Sequence, residues 1–595
     1  MGRIQGPGDD VLRFVGLAAA ITNLRPVTDL LSKANAWIND DPDEATRFEL
    51  QQLVSAEDLD ELRRRCEGTL TFGTAGIRGE VGAGPARMNR AVVIRTTRGL
   101  GDYLIARAGG IPDGPVVIGF DARPTSRQFA ADTAGVLLAA GFSIRFFPEV
   151  APTPLVAFAA KHLDASAAVV VTASHNPPAD NGYKVYDSNA AQIISPVDVD
   201  IAAAIEASPG AVAIPREESA FDCTHQNIEP LGEEMFDAYW AEVDAARPEP
   251  TPSRLKIVYT PIHGVGGKYV EEVFRRGGHS GLISVPGQAQ PDGAFPTVSF
   301  PNPEEAGALD LAMSLAEEES ADLIVANDPD ADRLAVVVKV EDGWRALSGN
   351  EIGVLLGDYV LRHHGGPERP MVFNSIVSSP MLGRIADHYS AHHEVTLTGF
   401  KWIVNAGLAL EARGVGKFVF GYEEALGYTI GQVVRDKDGI SAALVFADLT
   451  AGLTAKGSSV VERLEKLWAS HGLWVSAQHS VVRKGQDGAE SIRRAVDHLG
   501  ANPPSTVGNK AVSGVIDYRV GEDERPHWLG AQPLIQLELG EGGRVLVRPS
   551  GTEPKLKVYV DLSGDVGNDA IAAQVELLRE ATQLAAEVAR SLRFH

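Results

Sequence analysis

Ala167-Ala168-Val169-Val170-Val171 runs straight into Thr172-Ala173-Ser174-His175-Asn176-Pro177-Pro178. The five apolar residues read as a buried β-strand. The chain then leaves the interior and presents a serine, a histidine and an amide on one loop. Pro177-Pro178 stiffens the exit and bars a helix from starting there. Moving upstream, Pro154 to His162 reads as helix, Ser143 to Phe147 as strand, Ser126 to Ala140 as helix and Val116 to Phe120 as strand. This alternation predicts right-handed βαβ units on a mainly parallel sheet. A serine on a rigid loop at a strand end can be a nucleophile or a phosphate carrier. It can equally be a polar loop residue that caps its own backbone.

Downstream, a second round of the same alternation starts at Leu255 to Tyr259. It continues through a helix at Gly264 to Arg276, a strand near Leu282, a helix at Glu304 to Glu318 and a strand at Asp322 to Ala326. A third round starts near Met371 to Asn374 and runs through Lys417 to Phe420. From about Trp474 the pattern changes. Strands at Ala511 to Tyr518, Leu534 to Leu539 and Arg544 to Val547 are followed by one long helix, Asp569 to Arg593. Before the first round, residues 1–68 read as charged and helical, with Asp41-Pro42 suited to a helix start. The expected fold is α/β: three similar α/β domains with mixed, mainly parallel sheets, then a C-terminal α+β domain. The expected boundaries are 1–225, 226–345, 346–473 and 474–595.

The bulk properties agree with this size and class. At roughly 150 residues per domain, 595 residues make about four. Sixty-one glycines and 35 prolines supply the many turns of an α/β protein. A net charge of −25 argues against nucleic acid and anionic membrane as partners. No apolar run reaches the roughly 18–20 residues of a bilayer span. The fairly apolar Val11 to Leu24 has the wrong flanks for a signal peptide and reads as a helix on the outside of the first domain. Two cysteines, Cys66 and Cys223, make no disulfide framework, and a reducing cytoplasm is expected.

Four further loops carry chemistry. Asn327-Asp328-Pro329-Asp330-Ala331-Asp332-Arg333 follows the strand at Asp322 to Ala326. Its three alternate carboxylates repel one another unless a cation lies between them, and oxygen donors suit Mg²⁺; the same residues can also make a solvated acidic turn. A calcium-binding EF-hand fails, because its sixth and twelfth positions hold Arg333 and Lys339 rather than Gly and Glu. Arg333 can hold a phosphate oxygen beside the metal. Arg548-Pro549-Ser550-Gly551-Thr552-Glu553-Pro554-Lys555 gathers cations and hydroxyls around a glycine, a composition suited to a phosphate dianion or to an ordinary decorated turn. Gly421-Tyr422-Glu423-Glu424-Ala425-Leu426-Gly427-Tyr428 offers two glutamates to sugar hydroxyls, or a capped helix start. Thr71-Phe72-Gly73-Thr74-Ala75-Gly76-Ile77-Arg78-Gly79 allows close backbone approach, with Arg78 able to reach an anion. Lys184, ten residues beyond Ser174 on the next strand, can act as general acid or base.

Together these loops resemble the α-D-phosphohexomutase superfamily, in the same order along the chain and over nearly everything from about Asp41. The Thr-Ala-Ser-His-Asn-Pro and Asp-Pro-Asp-Ala-Asp-Arg strings are the most specific. The Gly-Tyr-Glu-Glu-Ala-Leu-Gly-Tyr loop and Thr398-Gly399-Phe400-Lys401-Trp402 look most like the phosphoglucomutase-2 and phosphopentomutase branch. The resemblance implies four domains around a central cleft, each giving one loop. It implies a phosphoryl group carried on Ser174, and one Mg²⁺ held by Asp328, Asp330, Asp332 and the Ser174 phosphate. His175, Lys184 and Arg333 would assist transfer, with Lys184 as the general base. Arg78, Lys401, Glu423, Glu424, Arg548, Ser550, Gly551, Thr552 and Lys555 would bind substrate. Where many members carry a serine two residues after Glu423, this chain has Ala425.

The expected activity is interconversion of hexose 1-phosphate and hexose 6-phosphate, glucose or mannose, through a phosphoserine enzyme and a sugar bisphosphate that serves as intermediate and activator. A phosphopentomutase, a sugar-1,6-bisphosphate synthase or a phosphatase on the same site are alternatives, and a non-catalytic sugar-phosphate sensor is a further one. The expected partners are small sugar phosphates, with the chain a monomer or homodimer.

Overall fold

The computed structural model describes residues 28–73, 76–483, 486–550 and 555–594. The helix expected at Val11 to Leu24 lies outside them, as do Gly551 and Thr552. The chain forms two compact units. One runs to Glu233 and adds Asp292–Phe300; the other comprises Glu234–Pro291 and everything from Pro301 on.

The first unit is built on a six-stranded sheet. Its strands are β1 (Ile77–Glu80), β2 (Val116–Phe120), β3 (Ile144–Phe146), β4 (Ala167–Val171), β5 (Asp180–Tyr186) and β6 (Ile228–Pro230), in the order β1-β5-β4-β2-β3-β6. β4, β2, β3 and β6 run parallel, while β5 pairs antiparallel with both β4 and β1. Every residue of β2 and β4 is buried. Continuous apolar strands are what a sheet covered on both faces by helices requires. The helices Ser126–Ala139 and Thr153–His162 pack on those strands. Ahead of the sheet lie a helix over 28–40 and the helices Glu44–Ser55 and Leu59–Cys66, which share a small core of Leu30, Ala34, Leu50, Leu62 and Cys66. The helix start expected after Asp41-Pro42 falls at Glu44, where the Asp43 side chain accepts from the Ala45 amide.

The second unit carries three sheets. The first has β7 (Ile257–Thr260), β8 (Leu282–Ser284), β9 (Leu323–Ala326), β10 (Ala335–Val340) and β11 (Gly343–Ala346), ordered β11-β10-β9-β7-β8. The next has β12 (Pro370–Ser375), β13 (His392–Thr396), β14 (Lys417–Glu423) and β15 (Gly427–Ile430), ordered β13-β12-β14-β15. The last is antiparallel throughout. It comprises β16 (Leu473–Val482), β17 (Thr506–Val507), β18 (Lys510–Asp517), β19 (Ile535–Leu539), β20 (Gly543–Pro549) and β21 (Lys555–Gly564), ordered β16-β21-β20-β19-β18-β17. The architecture is therefore three mixed, mainly parallel α/β sheets followed by an α+β segment that ends in the helix Ala570–Ser591.

Two helices start later than the sequence suggests. Gly307, at φ +86°, breaks the expected Glu304–Glu318 helix, which begins only at Asp310. Ile262 and His263 both adopt positive φ, so the segment before Gly267 is a turn and the helix is Gly267–Arg276.

Candidate active site

Ser174 follows β4, is 3% exposed and has φ +51°. A left-handed conformation costs a non-glycine residue about 1–2 kcal/mol, so neighbouring bonds must hold it. They do. The Ser174 amide donates to Thr172 Oγ1 at 2.8 Å, and Thr172 Oγ1 donates to Asp121 Oδ2 at 2.7 Å. Asp121 also accepts from Ser126 Oγ and from the Arg123 amide. Ser174 Oγ lies 3.2 Å from His175 Nδ1. Arg78, on β1, donates to Asn176 Oδ1 at 2.9 Å, and Asn176 in turn donates to Asp180 Oδ2. β1 can lie this close because Gly76 has no side chain: a Cβ there would sit 1.9 Å from the Tyr183 carbonyl oxygen. Lys184 is buried on β5, paired with Val170 of β4.

The first unit thus gathers Arg78, Ser174 and His175 around one loop, with Lys184 buried on the adjoining strand. The sequence reading missed Asp121 and Arg123, which fasten that loop from below. A signal was present: charged residues stand at the end of β2, beside the end of β4.

Asp328, Asp330 and Asp332 occupy the turn after β9. All three are buried, and one carboxylate oxygen from each lies within 4.8 Å of the others. Among the described residues, this is the one group of three potential ligands that converges so closely. Asn327 stiffens the turn by accepting from Tyr259 Oη at 3.0 Å and donating to the Arg333 carbonyl at 2.6 Å. Three buried carboxylates at this spacing, all hard oxygen donors, fit a Mg²⁺-sized cation that keeps open positions. Arg333 Nε lies 3.8 Å from Asp328 Oδ2 and 4.0 Å from Asp332 Oδ1. Lys437 Nζ lies 3.0 Å from Asp332 Oδ2, a contact that sequence spacing could not reveal. Burial works against the charge on Lys437. Asp332, Asp436 and Glu423 outweigh it and raise its pKa above the ordinary lysine value.

The β14–β15 hairpin pairs Glu423 with Gly427 and turns through Leu426 at φ +62°, so the Gly421 to Tyr428 stretch is a hairpin turn and not a helix start. Glu423 Oε1 accepts from the Gly399 amide at 2.7 Å, which sets Thr398 to Trp402, and Lys401 with it, beside the glutamate. Burial first, then Glu424, raises the Glu423 pKa, with Lys437 opposing. Glu424 Oε2 accepts from Ser375 Oγ and Ser378 Oγ at 3.1 and 3.2 Å. In the last sheet, Arg548 stands opposite Lys557, and the Ser550 amide donates to the Lys555 carbonyl at 2.7 Å. Burial lowers the Lys557 pKa, with Arg548 and Lys555 pushing the same way and Glu424 opposing. The sequence reading passed over Lys557, although Lys555 and Lys557, two apart on a strand, share a face.

Comparison with known proteins accounts for this layout. Four family models match in order: phosphoglucomutase/phosphomannomutase alpha/beta/alpha domain I over residues 69–210, domain II over 235–343, domain III over 348–471 and the C-terminal domain over 519–578. A probable phosphoribomutase of Schizosaccharomyces pombe is 38% identical over 561 residues, 91% of this chain and 95% of its own. A probable phosphomannomutase of Haemophilus influenzae is 41% identical over 490 residues, 81% of this chain and 94% of its own. The crystal structure of a putative phosphomannomutase from Thermus thermophilus shares the fold, with a TM-score of 0.66 at 22% identity, covering 88% of this chain and 100% of that one. The fold is that of the α-D-phosphohexomutases. The chain belongs to the phosphoglucomutase/phosphomannomutase family. It is a phosphomutase, and so an isomerase. Among the described residues, no helix is long and apolar enough to cross a membrane.

Proposed function

We propose that this phosphomutase interconverts hexose 1-phosphate and hexose 6-phosphate, glucose or mannose, with Ser174 as the phosphoryl carrier. The observation that carries the reading is the buried Ser174, held at φ +51° with its hydroxyl beside His175. A nucleophile fixed in a costly conformation is preorganised for one task. In the first half-reaction the P–Oγ bond of phospho-Ser174 breaks as a bond forms from phosphorus to the free hydroxyl of the sugar monophosphate. Lys184, as the neutral amine, takes the hydroxyl proton, while His175, its Nδ1 3.2 Å from Ser174 Oγ, gives a proton to the departing serine oxygen, and the product is a sugar bisphosphate. The second half-reaction returns the other phosphate to Ser174, whose hydroxyl proton passes to His175, while Lys184 gives its proton to the departing sugar oxygen.

Asp328, Asp330 and Asp332 would hold Mg²⁺, which when bound neutralises charge on the transferring group. Arg333 and His175 would assist transfer. Glu423, Glu424 and Lys401 would read the sugar hydroxyls, and Arg78, Arg548, Ser550, Gly551, Thr552 and Lys555 would hold phosphate, with one loop from each of the four sequence segments. The reading extends to a cytoplasmic enzyme, since two unpaired cysteines suit a reducing compartment.

A pentose phosphate is the second reading. It is favoured by likeness to a probable phosphoribomutase, and Ala425, where one sugar contact is lost or replaced, leaves the choice of sugar open. Side-by-side kcat/KM values on the 1-phosphates of glucose, mannose, ribose and deoxyribose decide between them. Ser174→Ala abolishes turnover on all four with the circular dichroism of the fold retained; full turnover in that variant would falsify the scheme.

A further inference from the structure

The segment Asp292–Phe300 belongs to the first unit although the chain on both sides of it belongs to the second. It reaches the Asp121-Ala122-Arg123 turn at a distance only glycine permits: a Cβ on Gly293 would lie 2.5 Å from the Ala122 carbonyl oxygen and from Arg123 Cα. Two residues on, Phe295 is buried, adopts φ +48° and sets its ring 5.2 Å from the Arg123 guanidinium carbon. The turn that holds it is closed by amides of Ala294 and Phe295 donating to Asp292. A non-glycine residue in a left-handed conformation marks a place where the surroundings dictate the backbone.

The other side of the same guanidinium is fully engaged. Arg123 Nη2 donates to the carbonyls of Ser174 and Asn176, each at 2.7 Å. Nη1 donates to those of Pro177 and Asp180 at 2.6 and 2.8 Å, and Nε donates to Asp121 Oδ2 at 3.2 Å. One planar cation therefore spans four carbonyls of the loop that carries Ser174. A planar, fork-shaped donor set does this where an ammonium could not. An arginine with two donor edges engaged keeps its faces free, and an aromatic ring on a face fixes the plane.

We propose that Phe295 and Arg123 are positioning residues for Ser174: the ring fixes the plane of the guanidinium, and the guanidinium fixes the strained loop in the geometry that receives and gives the phosphoryl group. This deepens the reading of Ser174 as phosphoryl carrier and rests on it. Neither residue touches the reacting atoms, so their loss lowers the rate of transfer and leaves sugar-phosphate affinity alone.

The test uses the full-length protein and the variants Phe295→Tyr, Phe295→Leu and Arg123→Lys. The first readout is the single-turnover rate of Ser174 phosphorylation from glucose 1,6-bisphosphate with Mg²⁺, followed by intact mass. The second is hydrogen exchange of the amides over 172–180, which does not depend on catalysis. Phe295→Leu and Arg123→Lys are expected to slow phosphorylation at least tenfold, with KM for glucose 1-phosphate within twofold and exchange over 172–180 at least tenfold faster. Phe295→Tyr restores both. Wild-type rates and protection in Phe295→Leu and Arg123→Lys overturn the proposal, as does a rate loss that only follows the folded fraction measured by circular dichroism. If the wild-type enzyme never labels at Ser174, the carrier reading fails, and the exchange arm alone then decides whether Phe295 and Arg123 hold the loop.

Discussion

Lys437 shows how a single residue can be judged by its charge balance. Three buried carboxylates within 4.8 Å of one another carry repulsion that burial magnifies. Lys437 Nζ, 3.0 Å from Asp332 Oδ2, and the nearby Arg333 guanidinium offset part of it without any divalent ion. Removing the ammonium leaves a buried carboxylate uncompensated, a loss on the order of 3–5 kcal/mol for a fully buried pair. Lys437→Met is therefore expected to lower the melting temperature of the Mg²⁺-free protein sharply. Added Mg²⁺ supplies the missing charge, so the gap between melting temperatures with and without Mg²⁺ widens relative to wild type. Thermal melts in chelator and in excess Mg²⁺ measure both. An unchanged gap would show that Lys437 and the cation do not share the triad.

At the scale of elements, β13 carries a pH dependence of its own. His393 sits on this strand with Nε2 2.6 Å from Asn374 Oδ1 of β12. Burial, helped by His392 and Arg544 and opposed by Asp387, lowers its pKa from 6.5 to about 4. The folded state thus holds the ring neutral while the unfolded chain protonates it below about 6.5. Stability from this group is complete above that pH and is lost as pH falls toward 4, by up to about 3 kcal/mol. His393→Gln should flatten this part of the stability profile between pH 4 and 6.5, read from urea midpoints; a parallel profile would refute the assignment.

Elements also show what the sequence could and could not disclose. Ala167–Val171 is apolar at every position, and such a strand can only be buried on both faces, so its limits were readable. β16 and β21 were not: each spans ten residues, and β16 mixes serine, glutamine and histidine, β21 lysine, aspartate and serine, with its apolar residues, so neither shows a continuous apolar run. The convergence of Asp328, Asp330 and Asp332 was legible because it arises within one turn. The contacts of Arg123 with Ser174, of Lys437 with Asp332 and of Lys557 with Arg548 were not, because each joins different elements and leaves no local spacing.

For the larger unit, the question is what keeps the aspartate turn after β9 in register with the glutamates at the end of β14. Part of the answer is direct: the Leu334 amide donates to the Leu426 carbonyl at 3.0 Å, and the Gly439 amide to that of Ala331 at 3.2 Å. The rest is a buried clasp farther along the helix Gly439–Ala455. Asp448, fully buried, accepts from Arg247 Nε and Nη2 at 2.8 Å each, from the Thr251 amide at 2.9 Å, and lies 3.0 Å from His279 Nε2. His279 Nδ1 in turn meets Ser253 Oγ at 2.9 Å. This clasp joins the segment around β7 to a helix packed on β15. Asp448→Ala leaves the Arg247 guanidinium only the half-exposed Asp244, 2.9 Å from Nη1, so stability should drop by at most about 3–5 kcal/mol. The functional consequence differs from that of Lys437→Met, since the triad itself is untouched. Mg²⁺-dependent stabilisation persists in Asp448→Ala, while KM for sugar phosphate rises because the glutamates no longer hold a fixed distance from the aspartates. Urea unfolding, a Mg²⁺ melt series and steady-state kinetics on one preparation test all three, and a wild-type KM in the folded variant would show that the direct hydrogen bonds alone set the register.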